Sequence, residues 1–288
     1  MLSDTFKSHI ESCVGTSIKS VKHASGGCIN LAAVLTFSDA SKVFIKWSES
    51  SQEGMFEEEA KGLLELKKAA VIKVPEVITY LDSSKDGVPP YLALEALEEG
   101  KKKDFKLFGR LLAELHKVKS GSFGFSSNNF IGRLHQDNTL DSSWADFFFY
   151  RRLLPQVKLG RNSGWFDSSL ESLFASKTAT LNKILRSSNE TPSLLHGDLW
   201  SGNVFWSTEG PALIDPAVYY GSREADIAFT EVFGGFKKEF YDSYNEAYPL
   251  EPGYGERKQV LNLYHLMTHS NLFGGSYVRS VYDCLSSL

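Results

Sequence analysis

At 288 residues, with 42% hydrophobic and 23% charged side chains, the chain is long enough for two lobes of roughly 100 to 200 residues each. A net charge of −4 excludes the broad positive field that nucleic acid or an anionic membrane surface selects. Cys13, Cys28 and Cys284 are too few and too scattered for a disulfide scaffold or a thiolate metal centre, and no apolar run reaches the roughly 18 to 20 residues that span a bilayer. Residues 1–14 interleave charged and apolar side chains, unlike a signal peptide, so a reducing cytoplasm is the expected location.

Residues 2–14 place Leu2, Phe6, Ile10 and Val14 four apart, the spacing of one helix face. Between residues 21 and 47 the texture changes to short apolar runs, 31–37 and 43–47, separated by turn residues, which predicts antiparallel strands. Helical spacing returns over 53–70, where Met55, Phe56, Ala60, Leu63, Leu64 and Leu66 cover one broad side. Two more strands are expected at 74–80 and 91–97, around a turn-rich stretch at 82–90. The basic run Lys101-Lys102-Lys103 reads as a solvated connector. Beyond it the pattern is mostly helical, with candidate helices at 104–118, 143–159, 167–186, 224–234, 236–248 and 256–273. Strand-like pieces at 193–196, 204–206 and 212–214 interrupt them, and the Asn-rich loop 121–140 has a length common among functional loops. A small antiparallel β-rich lobe over residues 1–97 and a larger, mainly helical lobe over 98–288 make an α+β, two-lobed fold.

The sharpest chemical signal is Leu194-Leu195-His196-Gly197-Asp198-Leu199-Trp200-Ser201-Gly202-Asn203, followed by Ala212-Leu213-Ile214-Asp215-Pro216. Phosphoryl transfer from ATP needs a carboxylate beside the attacking hydroxyl and oxygen ligands that hold Mg²⁺ against the nucleotide phosphates. Asp198 and Asn203 stand five apart, the Asp-x-x-x-x-Asn spacing of kinase catalytic loops. A hairpin over 204–214 centred on Glu209 would pair Asn203 with Asp215, about 4.5 to 5.5 Å apart at Cα. Asp198 is therefore the candidate base, and Asn203 and Asp215 the candidate metal ligands. Singly, each also suits a turn cap, a strand start or an Asp-Pro turn; the joint spacing points to chemistry. His196 reads as a brace of this loop. Asp226, at the head of a predicted helix, reads as a carboxylate on the helix dipole or a second brace.

On the nucleotide side, Gly26 and Gly27 in Ser25-Gly26-Gly27-Cys28-Ile29-Asn30 would let the backbone approach phosphate oxygens, although a plain hairpin turn has the same composition. Lys46 sits among apolar neighbours in Val43-Phe44-Ile45-Lys46-Trp47, and a lysine there needs an edge or an anionic partner. Of the consecutive acids Glu57, Glu58 and Glu59, only Glu59 falls on the apolar stripe, four from both Met55 and Leu63. It is the expected partner that orients Lys46 towards phosphates. The strand ending near Leu97 reads as the connector between lobes, with the main chain from Glu95 to Leu97 meeting the adenine edge.

The loop text resembles that of the fructosamine kinase (ketosamine 3-kinase) family, which has the protein-kinase-like fold. The similarity runs on through Ile214-Asp215-Pro216-Ala217-Val218-Tyr219-Tyr220-Gly221, Arg223-Glu224-Ala225-Asp226 and Leu263-Tyr264-His265-Leu266, and includes Gly26–Asn30, Phe130-Ile131-Gly132 and the predicted helix 144–156. The resemblance implies ATP-dependent phosphorylation of the 3-hydroxyl of a sugar joined to an amine through a ketoamine linkage, on a small glycated amine or a glycated protein lysine. It also implies that Asp198 is the base, Asn203 and Asp215 the metal ligands and Lys46 the phosphate-holding lysine. Ser222 departs from the pattern, which leads one to expect histidine before Arg223-Glu224. Trp200, Trp144 and Arg152 are candidates for an acceptor pocket, with core packing as the alternative for the aromatics. Cys28, in the glycine-rich loop, is a candidate for a redox-linked disulfide to Cys28 of a second copy. The shorter His-Gly-Asp core also suits a kinase of an aminoglycoside or amino alcohol. A catalytically silent kinase-like binding module is disfavoured by three competent side chains.

Overall fold

Alternation along the early strands decides which side chains meet the two helices of the first third of the chain. The computed structural model describes residues 2–24 and 30–288. Strands β1 (Ile18–Ala24), β2 (Leu31–Phe37), β3 (Lys42–Trp47), β4 (Val77–Leu81) and β5 (Tyr91–Glu95) form one antiparallel sheet in the order β1-β2-β3-β5-β4. Val43, Ile45 and Trp47 of β3 point to one face, where they join Ala33, Leu35, Phe37, Tyr91 and Ala93. Phe6 and Ile10 of α1 (Asp4–Val14) close that face, with the Phe6 ring 6.0 Å from Trp47 and 5.3 Å from Tyr91. The intervening Lys46 must therefore point to the opposite face, between Ala32 and Leu92 in register. Helix α2 (Met55–Ala69) contacts β4 and β5. It has no capping side chain of its own; Asp82, just past β4, accepts from Phe56 N (2.9 Å) and Glu57 N (3.0 Å) instead.

Two compact units result: residues up to Lys103 together with Phe205–Ile214, and Asp104–Val204 together with Asp215–Leu288. A single division after Leu97 misses the inserted hairpin of β9 (Val204–Ser207) and β10 (Gly210–Leu213). Most of that hairpin belongs with the first unit because backbone bonds attach it there. Leu213 N donates to Lys73 O (2.9 Å), Gly100 N to Trp206 O (2.8 Å) and Thr208 N to Glu98 O (2.9 Å). These bonds join segments far apart in the chain, and periodicity carries no record of them.

The second unit is built on α3 (Phe105–Leu115), α4 (Trp144–Phe147), α5 (Leu154–Ser163), α6 (Ser168–Leu185), α7 (Glu224–Thr230), α8 (Lys238–Ala247), α9 (Tyr254–Phe273) and α10 (Ser276–Ser287). Its main core gathers buried side chains of α4, α5, α6, α7, α9 and α10, while α3 packs on α8 with Phe108 stacked 5.0 Å from Phe240. Between α4 and α5 the helix widens into a π-turn at Phe148–Leu153. The wider turn accommodates Pro155, which in a regular helix would clash with the carbonyl of Arg151. Short pairs complete the unit: β6 (Asn129–Ile131) with β7 (Leu134–Gln136), and β8 (Ser193–Leu195) with β11 (Tyr219–Gly221). No helix among the described residues is long and apolar enough to cross a membrane.

Candidate active site

Strand β8 delivers the chain into the loop that carries Asp198, and this loop is held by its own backbone donors. His196 N and Gly197 N donate to the two carboxylate oxygens of Asp226 at 2.8 and 2.9 Å. Asp198 N donates to His196 Nδ1 at 3.2 Å, and Ala217 N donates to His196 O at 2.9 Å. His196 and Asp226 thus both act as braces. Asp226 is fixed in turn by His116 Nε2 (3.3 Å), whose Nδ1 meets the Tyr244 hydroxyl at 2.8 Å. Burial holds His116 below the usual imidazole range, so the neutral ring donates to Asp226 and accepts from Tyr244. Burial by itself raises the Asp226 pKa, but His116 and the Gly197 amide outweigh it and keep the carboxyl below its ordinary value. Gly197 has φ +82, and a Cβ there would lie 2.0 Å from Ala217 O. Only glycine fits.

Asn203 sits in a 3₁₀ turn, Ser201–Asn203, and its Nδ2 donates to both Asp198 O (2.8 Å) and Asp198 Oδ2 (3.0 Å). Asp198 is half-buried. Burial raises its pKa, the Asn203 bond lowers it, and the charges of Asp215 and Asp226 raise it further, to about 7. Asp215 is exposed and lies in left-handed backbone at φ 52, unusual for a residue with a Cβ. The expected hairpin exists, but its turn consists of Thr208 and Glu209, with Ser207 Oγ donating to Gly210 O at 2.8 Å. The turn is thus two residues long, not the longer one centred on Glu209 that would set Asn203 against Asp215. What links Asp215 to the loop is its charge, which reaches Asp198.

The donor set suits a hard divalent cation. Asn203 spends its Nδ2 on Asp198, which turns the amide oxygen away from that residue, and Asp215 adds a carboxylate. Asn203 and Asp215 offer two oxygen donors, so a cation held there would take further ligands from water or phosphate oxygens.

In the first unit, Lys46 Nζ lies 2.5 Å from Glu59 Oε1, and both side chains are nearly buried. Glu57 and Glu58 instead reach Lys61, at 2.9 and 2.7 Å. Glu95 receives Lys73 Nζ at 2.8 Å through its side chain, and its main-chain N donates to Glu76 O at 2.8 Å. Leu97 follows just beyond the last residue of β5 and is half-buried. Gly26, Gly27 and Cys28 lie outside the described residues.

Of the three acceptor-pocket candidates, Trp200 alone reaches the surface, at 37% exposure, with its ring centre 6.1 Å from that of Phe233. Trp144 packs in the core against Phe123, Phe147 and Phe148. Arg152 is fully buried, its guanidinium 4.1 Å from the Tyr219 ring and 4.6 Å from Phe147. Neither lines a surface: Trp144 is closed in by aromatic rings, and Arg152 is held by the Asn138 side chain and the Asp137 carbonyl. Sequence reasoning passed over His116 and Tyr244 behind Asp226, and over Phe233 and His269 (4.8 Å between ring centres) beside Trp200. His116 had one available signal, a polar residue next to Leu115 on the apolar stripe that includes Leu112 and Ala113. Ser222 is fully buried, and its Oγ finds no hydrogen-bond partner among the described residues.

The fructosamine kinase family profile matches residues 2–288. A protein of Synechocystis named as a ketoamine kinase is 40% identical over 273 residues, 93% of this chain and 90% of that one. The chloroplastic protein-ribulosamine 3-kinase of Arabidopsis thaliana is 36% identical over 270 residues, 91% of this chain and 80% of its own. A crystal structure assigned as a fructosamine-3-kinase, from Haemophilus somnus 129PT, superposes with a TM-score of 0.86 at 31% identity, covering 98% of this chain and 95% of that one. An aminoglycoside phosphotransferase, 14% identical with a TM-score of 0.65 over 98% of each chain, shares the fold alone, which is the protein-kinase-like one.

Proposed function

The chain belongs to the fructosamine kinase family, and from that premise we propose that it transfers the γ-phosphoryl group of ATP to the 3-hydroxyl of a ketosamine sugar. The observation that carries the reading is the grip of Asn203 on Asp198, with the charge of Asp215 close enough to act on the same carboxylate. Asp198 accepts the proton of the acceptor hydroxyl as its oxygen bonds to the γ-phosphorus and ADP departs. Asn203 and Asp215 are the residues that would hold Mg²⁺, which when bound supplies positive charge against the phosphoryl oxygens. Lys46, oriented by Glu59, offsets charge on the α- and β-phosphates. Asp226, His196 and Gly197 keep the loop in place, so positioning supplies most of the rate and no phosphoenzyme forms.

The acceptor is a glycated amine, free or on a protein lysine, and Trp200 offers its exposed ring to the sugar. The reading needs no dimer through Cys28. Release of ADP from Mg·ATP, measured against ribulosamines, fructosamines, aminoglycosides and amino alcohols, tests it. Turnover is expected with ketosamines alone; turnover confined to aminoglycosides or amino alcohols would contradict it.

A further inference from the structure

Arg152, removed from the acceptor pocket by its burial, leads to a different device. The loop around β6 and β7 carries three side-chain amides, Asn129, Gln136 and Asn138, all but inaccessible to solvent. Two of them reach the backbone just after Asp215: Asn129 Nδ2 donates to Val218 O at 2.8 Å, and Gln136 Nε2 donates to Ala217 O at 3.2 Å. They are tied together, because Gln136 Nε2 and Asn138 Nδ2 both donate to Asn129 Oδ1, at 2.8 and 2.9 Å. Outer contacts hold the group from two sides. Tyr264 of α9 donates its hydroxyl to Gln136 Oε1 at 2.7 Å, and Arg152 donates to Asn138 Oδ1 at 2.6 Å and to Asp137 O at 2.5 Å.

Buried amides are costly unless satisfied, and a network this complete specifies one arrangement of the backbone it touches. The backbone it touches leads directly from Asp215, whose left-handed conformation persists only where surroundings impose it. Ala217 also donates to His196 O, so the same residue registers the Asp198 loop against the Asp215 segment. We propose that Asn129 and Gln136 are positioning residues for the divalent cation: by gripping the Ala217 and Val218 carbonyls, they hold Asp215 where its carboxylate and the Asn203 amide can share one ion. The inference rests on the phosphotransferase reading above and extends it to residues that touch neither nucleotide nor acceptor.

The test uses Mn²⁺ as the probe, titrated by electron paramagnetic resonance into the full chain with a saturating non-hydrolysable ATP analogue. Gln136→Met and Asn129→Leu keep side-chain bulk and remove the donors. Each should weaken Mn²⁺ binding by about 10- to 100-fold, the range for lost outer-shell partners of a metal, while affinity for metal-free nucleotide stays the same. Tyr264→Phe deletes a single hydroxyl, retains the fold and should weaken Mn²⁺ by about 2- to 10-fold. Leu181→Ala, a core change in α6 outside the network, lowers thermal stability and should leave Mn²⁺ affinity as in the wild type. Unchanged Mn²⁺ affinity in Tyr264→Phe and in either amide variant, or an equal loss in Leu181→Ala, overturns the proposal. A wild-type chain that takes up no Mn²⁺ with the analogue present instead refutes the phosphotransferase reading, and the proposal with it.

Discussion

Replacing Gly197 by alanine tests whether the loop and the Asp215 segment are locked together. A Cβ at Gly197 would stand 2.0 Å from Ala217 O and 2.7 Å from Ala217 C, whereas real contacts stay beyond 3.0 Å, so something must move by roughly 1 Å. Ala217 cannot retreat freely, since its N–H is bonded to His196 O and its carbonyl to Gln136 Nε2. The displacement must pass into the residues flanking Asp198 or Asp215. A matched control separates this clash from backbone strain. Gly164, which closes α5 at φ +81, has nearly the same φ as Gly197 but no atom within 4 Å of its Cβ position. Gly164→Ala should cost about 1–2 kcal/mol from left-handed backbone alone. Gly197→Ala should cost that and a further 1–3 kcal/mol or so for forced repacking. A shift near 1 Å in a catalytic group can lower turnover by about 10²-fold. Urea unfolding gives the first comparison, and ADP release with a ketosamine acceptor gives the second. Equal stability loss in the two variants, with turnover of Gly197→Ala intact, would refute the steric reasoning.

Glu59→Gln removes the negative charge 2.5 Å from the nearly buried Lys46 ammonium, and a loss of about 1.5–3 kcal/mol is expected on urea unfolding. Lys46→Met combined with Glu59→Leu should recover most of that stability while nucleotide affinity, read by calorimetry, stays impaired. For Asp198, burial first and the Asp215 charge after it raise the folded-state pKa to about 7. The folded chain thus binds a proton more tightly than the unfolded one, and this group's contribution to stability falls as pH rises from about 4 to about 7, then stays level. The difference in unfolding free energy between wild type and Asp198→Asn, followed across that range without metal, should show this slope; a flat difference would remove the raised pKa.

The pairing of Lys46 with Glu59 was legible because both constraints are local. Strand alternation sends Lys46 away from the Ile45 and Trp47 face, and helix periodicity separates Glu59 from Glu57 and Glu58. The spacing of Asp198 and Asn203 was legible for the same reason, since a short loop brings residues five apart into contact. Asp215 was harder. Its approach depends on a turn whose register shifts with one residue, and on a left-handed backbone that no side-chain pattern announces. Arg152 and Trp144 sit in the core instead of a pocket: Trp144 packs among Phe123, Phe147 and Phe148, and Arg152 over Tyr219, partners that helix periodicity does not name. The 121–140 loop stood out by its length and Asn content alone; the carbonyls that its buried Asn129 and Gln136 amides reach are main-chain groups, which carry no sequence signature. Helix α10 went unread although Val278, Val281, Tyr282 and Leu285 follow helical spacing; Val281 and Leu285 are the buried ones.

Phosphorus NMR of a ribulosamine or fructosamine acceptor incubated with Mg·ATP measures the transfer itself. With the wild-type chain a phosphate ester resonance coupled to the sugar H3 should grow as ADP forms. With Asp198→Asn it should form about 10²-fold or more slowly, although nucleotide is still bound. Ester formation at the wild-type rate in that variant, or phosphate appearing on a different hydroxyl, would contradict the account.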